Sequence, residues 1–328
     1  MSAGSRIGGL LRRYLPILDW APRYTRRTLT NDLIVAVIVT VMLIPQSLAY
    51  ALLAGLPVQV GLFASMAPLL VYAIFGTSRT LAVGPVAVVS LMTAAAVAPL
   101  AAQGSPEYLG AAIALAMVSG LLLLAMGLLR LGFLANFLSH PVVAGFITAS
   151  GLQIAAGQLG PVLGIHLEGE TFVELIAQLG REIGQTNPYT AAIGLGSLVF
   201  LFWARRGLKP LLQRLGFGEQ TASTLAKIGP AVALVATTVA VWAFALGDLG
   251  VSIVSTVPQG LPSLALPPLD FSLWTRILVP ALLISIVGYV ESISDALTLA
   301  AKRRQRVDPD QELIALGASN IGAAISGG

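Results

Sequence analysis

The chain has 328 residues, of which 56% are hydrophobic and only 10% charged, with a net charge of +4 and a mean hydropathy of +0.86. Soluble domains carry about 25% charged residues, so this composition excludes a soluble domain and describes an all-α polytopic membrane protein. There are no cysteines and two histidines, His140 and His166, which leaves no disulfide framework, no thiolate and no histidine cluster for a metal.

Residues 1–31 are basic but lack the compact apolar core and small-residue cleavage site of a signal peptide. A leucine-rich patch at Leu10–Leu18, carrying Arg12 and Arg13, reads as an interfacial helix. Apolar stretches then follow at about 33–55, 57–76, 85–100, 109–135, 141–159, 189–204, 229–247, 274–301 and 311–326. The 34 glycines and 19 prolines fit tightly packed and broken membrane helices.

The first stretch carries Pro45 at its middle, followed by Gln46 and Ser47. Proline frees a carbonyl of the preceding turn. The polar pair either caps that backbone or lines a cavity, and intramembrane polar groups usually face protein or water.

Residues 79–100, RTLAVGPVAVVSLMTAAAVAPL, open with an arginine and a short strand-like run and turn at Gly84-Pro85. A helix of fifteen residues then runs to Pro99, shorter than the roughly 20 residues a full crossing needs. It reads either as a short tilted span or as a half-helix. The unpaired N–H groups of a half-helix attract anions inside secondary transporters.

The segment TFVELIAQLGREIG, between the fifth and sixth stretches, has apolar residues at helical spacing and fits a helix lying on the membrane surface. His140 precedes Pro141 and reads as a helix-start residue; His166 falls in a loop. The eighth stretch holds Glu291 and Asp295, which share a helical face at spacing i, i+4. Counted back from Lys302, Glu291 lies about 16 Å deep, near the middle of a core about 30 Å thick. A carboxylate there is expensive unless protonated, paired or hydrated, which marks Glu291 as a proton- or cation-coupling candidate. Asp295, one turn nearer the end, reads equally as a solvated or capping residue.

Putting the N-terminus in the cytoplasm and alternating sides places every basic residue except Arg181 and Arg276 on the cytoplasmic side. The alternation works only if 85–100 changes sides, which favours the half-helix. Arg79 falls at the cytoplasmic entrance and obeys the same charge rule. No metal cluster, thiol or phosphate-cradling glycine loop argues for an enzyme, and the charge placement leaves no need for a nucleic-acid partner.

Four stretches resemble one family, the sulfate permease (SulP/SLC26) anion transporters. They are IPQSLAYALLAGLP at 44–57, PVQVGLFASMAPLLVYAIFGTSRTLAVGPVAVVSLM at 57–92, LGFLANFLSHPVVAGFITASGLQIAAGQL at 131–159, and VGYVESISDALTLAAKRRQRVDPDQELIALGASNIGAAISGG at 287–328. Val60 and Phe63 stand where the family usually has tyrosines, and Asp295 and Leu297 depart from its more common Ala-Lys pair. The resemblance implies two inverted repeats of seven spans, with a core of spans 1–4 and 8–11 and a gate of spans 5–7 and 12–14. On this chain that gives a cytoplasmic segment at 1–31, core at 32–136, gate at 137–248 and core again at 249–328. The chain then stops within the tenth span, short of the second half-helix, four further spans and a C-terminal STAS domain. By itself it is expected not to transport.

The resemblance further implies an anion held between two half-helix N-termini, and an elevator-like movement of core against gate. Gln46, Tyr50 and the half-helix start at Pro85, Val86, Ala87 and Val88 match positions lining that site. Glu291 matches the ion-coupling position, with Ser47, Ser292 and Asp295 beside these. The implied function is secondary transport of a small inorganic or carboxylate anion, foremost sulfate, coupled to H+ or Na+. The alternative is an uncoupled anion channel or an exchanger of the same fold. A nucleobase permease, of related fold, is disfavoured by the Gly-Thr-Ser-Arg run at 76–79. No cofactor is implied, and relatives point to a homodimer in the inner (plasma) membrane with a cytoplasmic N-terminus.

Overall fold

The computed structural model describes residues 14–136, 140–165, 167, 171–226, 228–253, 268 and 270–328. The apolar stretches fold as α1 (Arg26–Leu53), α2 (Val58–Phe75), α3 (Ala87–Val97), α4 (Pro106–Leu128), α5 (His140–Leu163), α6 (Pro188–Trp203), α7 (Gly229–Ala243), α8 (Phe271–Arg303) and α9 (Pro309–Ile325). His166 and residues 10–13 of the Leu10–Leu18 patch lie outside the described residues, and the end of the patch enters a short helix, Ile17–Trp20.

Three of these helices start in the same way. Ser105-Pro106, Asn187-Pro188 and Asp308-Pro309 each put a capping oxygen before a proline. The cap accepts first-turn N–H groups, and the proline occupies the position whose N–H would have no partner. Pro45 does not break α1, which continues to Leu53. Thr171 and Glu174 form a reciprocal capping box at the start of the amphipathic helix Phe172–Glu182, which buries Leu175 and leaves Val173 and Ile176 exposed.

Five described helices are long and apolar enough to cross a membrane: α1, α2, α4, α8 and the run Pro188–Arg214. That last run extends α6 through a π-turn at Ala204–Leu208. α3, with 11 residues, is about 16 Å long, half of a bilayer core about 30 Å thick. It is shorter than its apolar stretch because Val86 still has extended geometry (φ −126°, ψ 147°) and Ala98–Leu100 form a turn. The strand expected ahead of it is corrected: residues 81–86 form none. A strand requires a neighbour's N–H and C=O groups, and no strand occurs among the described residues to supply them.

The chain divides into two compact units. The first comprises Met1–Asn31, Gln46–Gly145 and Pro258–Gly328. Within it α9 packs on α4 and α2, and α8 packs on α4 and α3. Tyr108, Leu115, Ile277, Ile293 and Leu313 are fully buried between these helices. α4 and α9 meet backbone to backbone: a Cβ on Gly317 would lie 2.6 Å from Leu124 N and 2.7 Å from Gly120 O. Only glycine permits that approach, the usual basis of helix association in lipid.

The second unit comprises Asp32–Pro45 and Phe146–Val257. Here α6 packs on α7. Asn187 caps α6 through Oδ1 and donates from Nδ2 to Leu249 O at 3.0 Å.

Candidate anion site

A cavity of about 210 Å³ lies within the first unit, between α1, α2, α3, α4, α8 and α9. The first turn of α3 forms one wall, with Gly84, Pro85, Val86 and Val89 lining the space. The first intrahelical bond of α3 runs from Ser90 N to Val86 O at 3.0 Å. The N–H groups of Ala87, Val88 and Val89 therefore precede the helical ladder, and no side chain caps them. Such N–H groups carry the positive end of the helix dipole and favour an anion. Pro85, just ahead of them, has no N–H to add to this set.

None of the lining residues is charged. The polar side chains among the lining residues carry hydroxyls and one amide, from Tyr50, Ser90, Thr93, Ser119, Ser285, Tyr289, Ser292 and Asn320. Three of them form a buried chain. Ser285 Oγ donates to backbone, 2.7 Å from Ala281 O and 3.2 Å from Ser119 O. Ser119 Oγ lies 2.8 Å from Ser285 Oγ and accepts from Asn320 Nδ2 at 3.3 Å. Only one N–H of the Asn320 amide is used in that chain, so the amide has capacity left for a small solute.

The residues singled out in the sequence fall in different places. Tyr50, Pro85, Val86 and Ser292 line the cavity. Gln46 does not; it is exposed and reaches the wall only by donating to Tyr50 Oη at 3.2 Å. Ala87 and Val88 do not line it either: they stand in the first turn of α3, and the Val88 side chain is buried. Ser47 is fully buried, 2.6 Å from Ser65 Oγ, which itself donates to Gly61 O. It fastens α1 to α2 where a Cβ on Gly61 would lie 2.0 Å from Ser47 O. Glu291 is partly buried beside the cavity without lining it, and its Oε2 has no hydrogen-bond partner among the described residues. Asp295 is exposed.

Sequence reasoning missed the Ser119–Ser285–Asn320 chain. Lone hydroxyls on apolar spans are its only signal, and nothing in the sequence says they meet. It also missed Glu312, 1% exposed and hydrogen-bonded on both oxygens. In the sequence Glu312 looks like an ordinary acidic residue in a helix's first turn, where the dipole favours it. Among the described residues no group of His, Cys, Asp and Glu could hold a metal ion.

Comparison with known proteins agrees with this arrangement. Residues 29–328 match the sequence model of the sulfate permease family. A probable sulfate transporter of Mycobacterium tuberculosis is 35% identical over 94% of this chain and 53% of its own length. The chloroplastic sulfate transporter 4.1 of Arabidopsis thaliana is 36% identical over 88% of this chain and 41% of its own. The chain thus spans about half the length of the curated relatives it matches. Among solved structures, SLC26A9 superposes with a TM-score of 0.86 at 26% identity, covering 99% of this chain and 52% of that one. The transmembrane domain of the cyanobacterial bicarbonate transporter BicA has the same fold, with a TM-score of 0.77 over 93% of this chain and 74% of its own, at 24% identity. These relatives are transporters, not enzymes. An uncapped half-helix opening on an uncharged cavity, in a chain matched from residue 29 to residue 328, is that of a member of the sulfate permease family.

Proposed function

We propose that this chain forms the first part of a secondary active transporter for a small inorganic or carboxylate anion, with sulfate the foremost candidate. The observation that carries this reading is the uncapped first turn of α3, facing a cavity with no charged wall. Backbone dipoles and hydroxyls bind an anion without neutralising it permanently, so it can leave as readily as it enters. The names of the sulfate transporters it resembles support sulfate.

In this reading the core is 32–136 with 249–328, the gate is 137–248, and the core moves against the gate like an elevator, in a homodimer. The placement of the basic residues supports a cytoplasmic N-terminus, in the inner (plasma) membrane on this reading. Glu291 couples transport to H+ or Na+ through the carboxylate oxygen that has no partner among the described residues. A second reading is an uncoupled channel or a chloride/bicarbonate exchanger. It is favoured by one observation, that Glu291 does not line the cavity.

The test is uptake of labelled sulfate, bicarbonate and succinate into proteoliposomes holding the full-length protein, with and without an inward proton or sodium gradient. Gradient-dependent sulfate uptake that loses this dependence in Glu291→Gln is the expected result. Gradient-independent flux, unchanged in the variant, replaces coupling with the second reading. No saturable uptake of any anion removes both.

A further inference from the structure

We infer that Glu312 is a positioning residue of the anion site: through the Gly76–Ser78 turn, its carboxylate sets where the first turn of α3 stands. The inference rests on the anion-site reading above and extends it to a residue outside the cavity.

Glu312 sits in the first turn of α9 and lines no part of the cavity. Four donors converge on it. Tyr72 Oη donates to Oε2 at 2.7 Å, and Thr77 N, Thr77 Oγ1 and Ser78 N all donate to Oε1. Thr77 Oγ1 also accepts from Asp308 N at 3.2 Å, so its own proton is directed to Glu312. Among the described residues no Lys or Arg pairs with this carboxylate. It is held by dipoles alone, so removing any one donor is felt fully.

The turn is built for this contact. A Cβ on Gly76 would lie 2.6 Å from the Tyr72 ring, so glycine lets that ring fold over the backbone and aim its hydroxyl at Glu312. Gln311, next to Glu312, donates from Nε2 to Phe75 O at 2.8 Å and so caps the C-terminal end of α2. Past the clamp, Ser78 Oγ accepts from Leu81 N at 3.2 Å. Residues 81–86 then run without secondary structure into Val86, the N-cap of α3. This connection has no sheet partner among the described residues, so its start is fixed at the Glu312 clamp. The same first turn of α9 also holds the segment after α4, since Asp310 Oδ1 accepts from Gly132 N at 2.8 Å, and Tyr289 Oη, from α8, donates to Gly132 O at 2.9 Å.

A group that only supported folding would change the amount of folded protein and leave affinity alone. A positioning group changes the apparent KM for the anion, because the N–H groups of α3 move relative to the other walls. The variants are Glu312→Gln, which keeps an acceptor at Oε1 but sets an amide against Tyr72, Thr77→Val, which removes only the hydroxyl, and Glu312→Ala. Uptake is measured on full-length protein in proteoliposomes, per folded transporter. KM should rise about tenfold in Glu312→Gln, the size of one lost charge-assisted hydrogen bond, and less in Thr77→Val. Hydrogen exchange should quicken over 81–90 and stay unchanged over 110–125. Glu312→Ala should exceed both in KM. If it does not fold, the other two variants carry the test. Unchanged KM and unchanged exchange at 81–90, with only lower yield, would reduce Glu312 to a folding role and overturn the inference. Quickened exchange at 81–90 in a protein that transports no anion would instead overturn the functional reading, leaving the clamp itself intact.

Discussion

The two units are built on different terms. In the first, α4 buries a full face, with Tyr108, Ala111, Leu115, Val118 and Leu123 among its buried residues. Helices there touch backbone to backbone, and serine, tyrosine and glutamate side chains bond between them. In the second, α6 buries no residue and α7 only Gly229 and Ala231, while Phe202, Trp242 and Phe244 are exposed. In lipid an exposed apolar face costs nothing, so the second unit is not thereby the weaker one. Buried polar groups, however, are expensive in a membrane and persist where they hold or bind something. The described hydroxyl chain, the carboxylate clamp and the uncapped helix start all fall in the first unit.

The sharpest test of this contrast is one substitution made in each unit. Gly317→Ala puts a methyl group against Leu124 N and Gly120 O. It should cost about 3 kcal/mol and abolish the monodisperse peak in fluorescence-detected size exclusion. Gly196→Ala in α6 meets nothing within 4 Å and should leave the peak intact. Equal loss in both would break the comparison.

Next in size is Tyr289→Phe, which strips the donor from Gly132 O and Pro309 O. A buried acceptor left unpaired costs about 1–3 kcal/mol, read as a drop in Tm. Asn187→Ala, in the second unit, removes both the α6 cap and the tie to Leu249 O, and should cost about 1 kcal/mol. An effect of similar size, about 1 kcal/mol, is expected of Ser47→Ala, which removes a buried hydroxyl bond between α1 and α2.

The smallest effect is a pH dependence at the start of α8. Asp270 accepts from Ser272 N at 2.9 Å, and hydrogen bonding to Ser272 holds its carboxyl below the ordinary range. A lowered pKa means stability present above the unfolded value, about 3.9, and lost as pH falls through the folded value. First-turn amides of α8 should keep their protection from neutral pH down to about 5 and lose it below about 4. In Asp270→Asn that protection should be flat with pH, since asparagine also caps.

Much of this was legible in the sequence because it is local. Hydropathy located the helices, since a span depends only on its own residues meeting lipid. Cap-proline pairs such as Asn187-Pro188 and Asp308-Pro309 are equally local, because a cap bonds two or three residues on, although hydropathy alone places those starts at 189 and 311. The half-helix was legible from its shortness and from Gly84-Pro85, and Thr171 with Glu174 began the amphipathic helix. The expected strand before α3 failed for a non-local reason: extended propensity makes no strand without a partner.

The sequence by itself determined the helices, their approximate ends, the membrane class and the shortness of the helix that follows Gly84-Pro85. All of these follow from residues within a few positions of one another. Only the tertiary structure decided which polar groups meet. Ser119 and Ser285 are 166 positions apart, and Thr77 and Glu312 are 235 apart. Nothing local to Glu312 distinguishes it from Asp310, yet one is buried under four donors and the other holds a single amide of the next segment. That difference is made by helix packing, because α9 lies against α2 as well as α4, and its start therefore meets the Gly76–Ser78 turn at the end of α2.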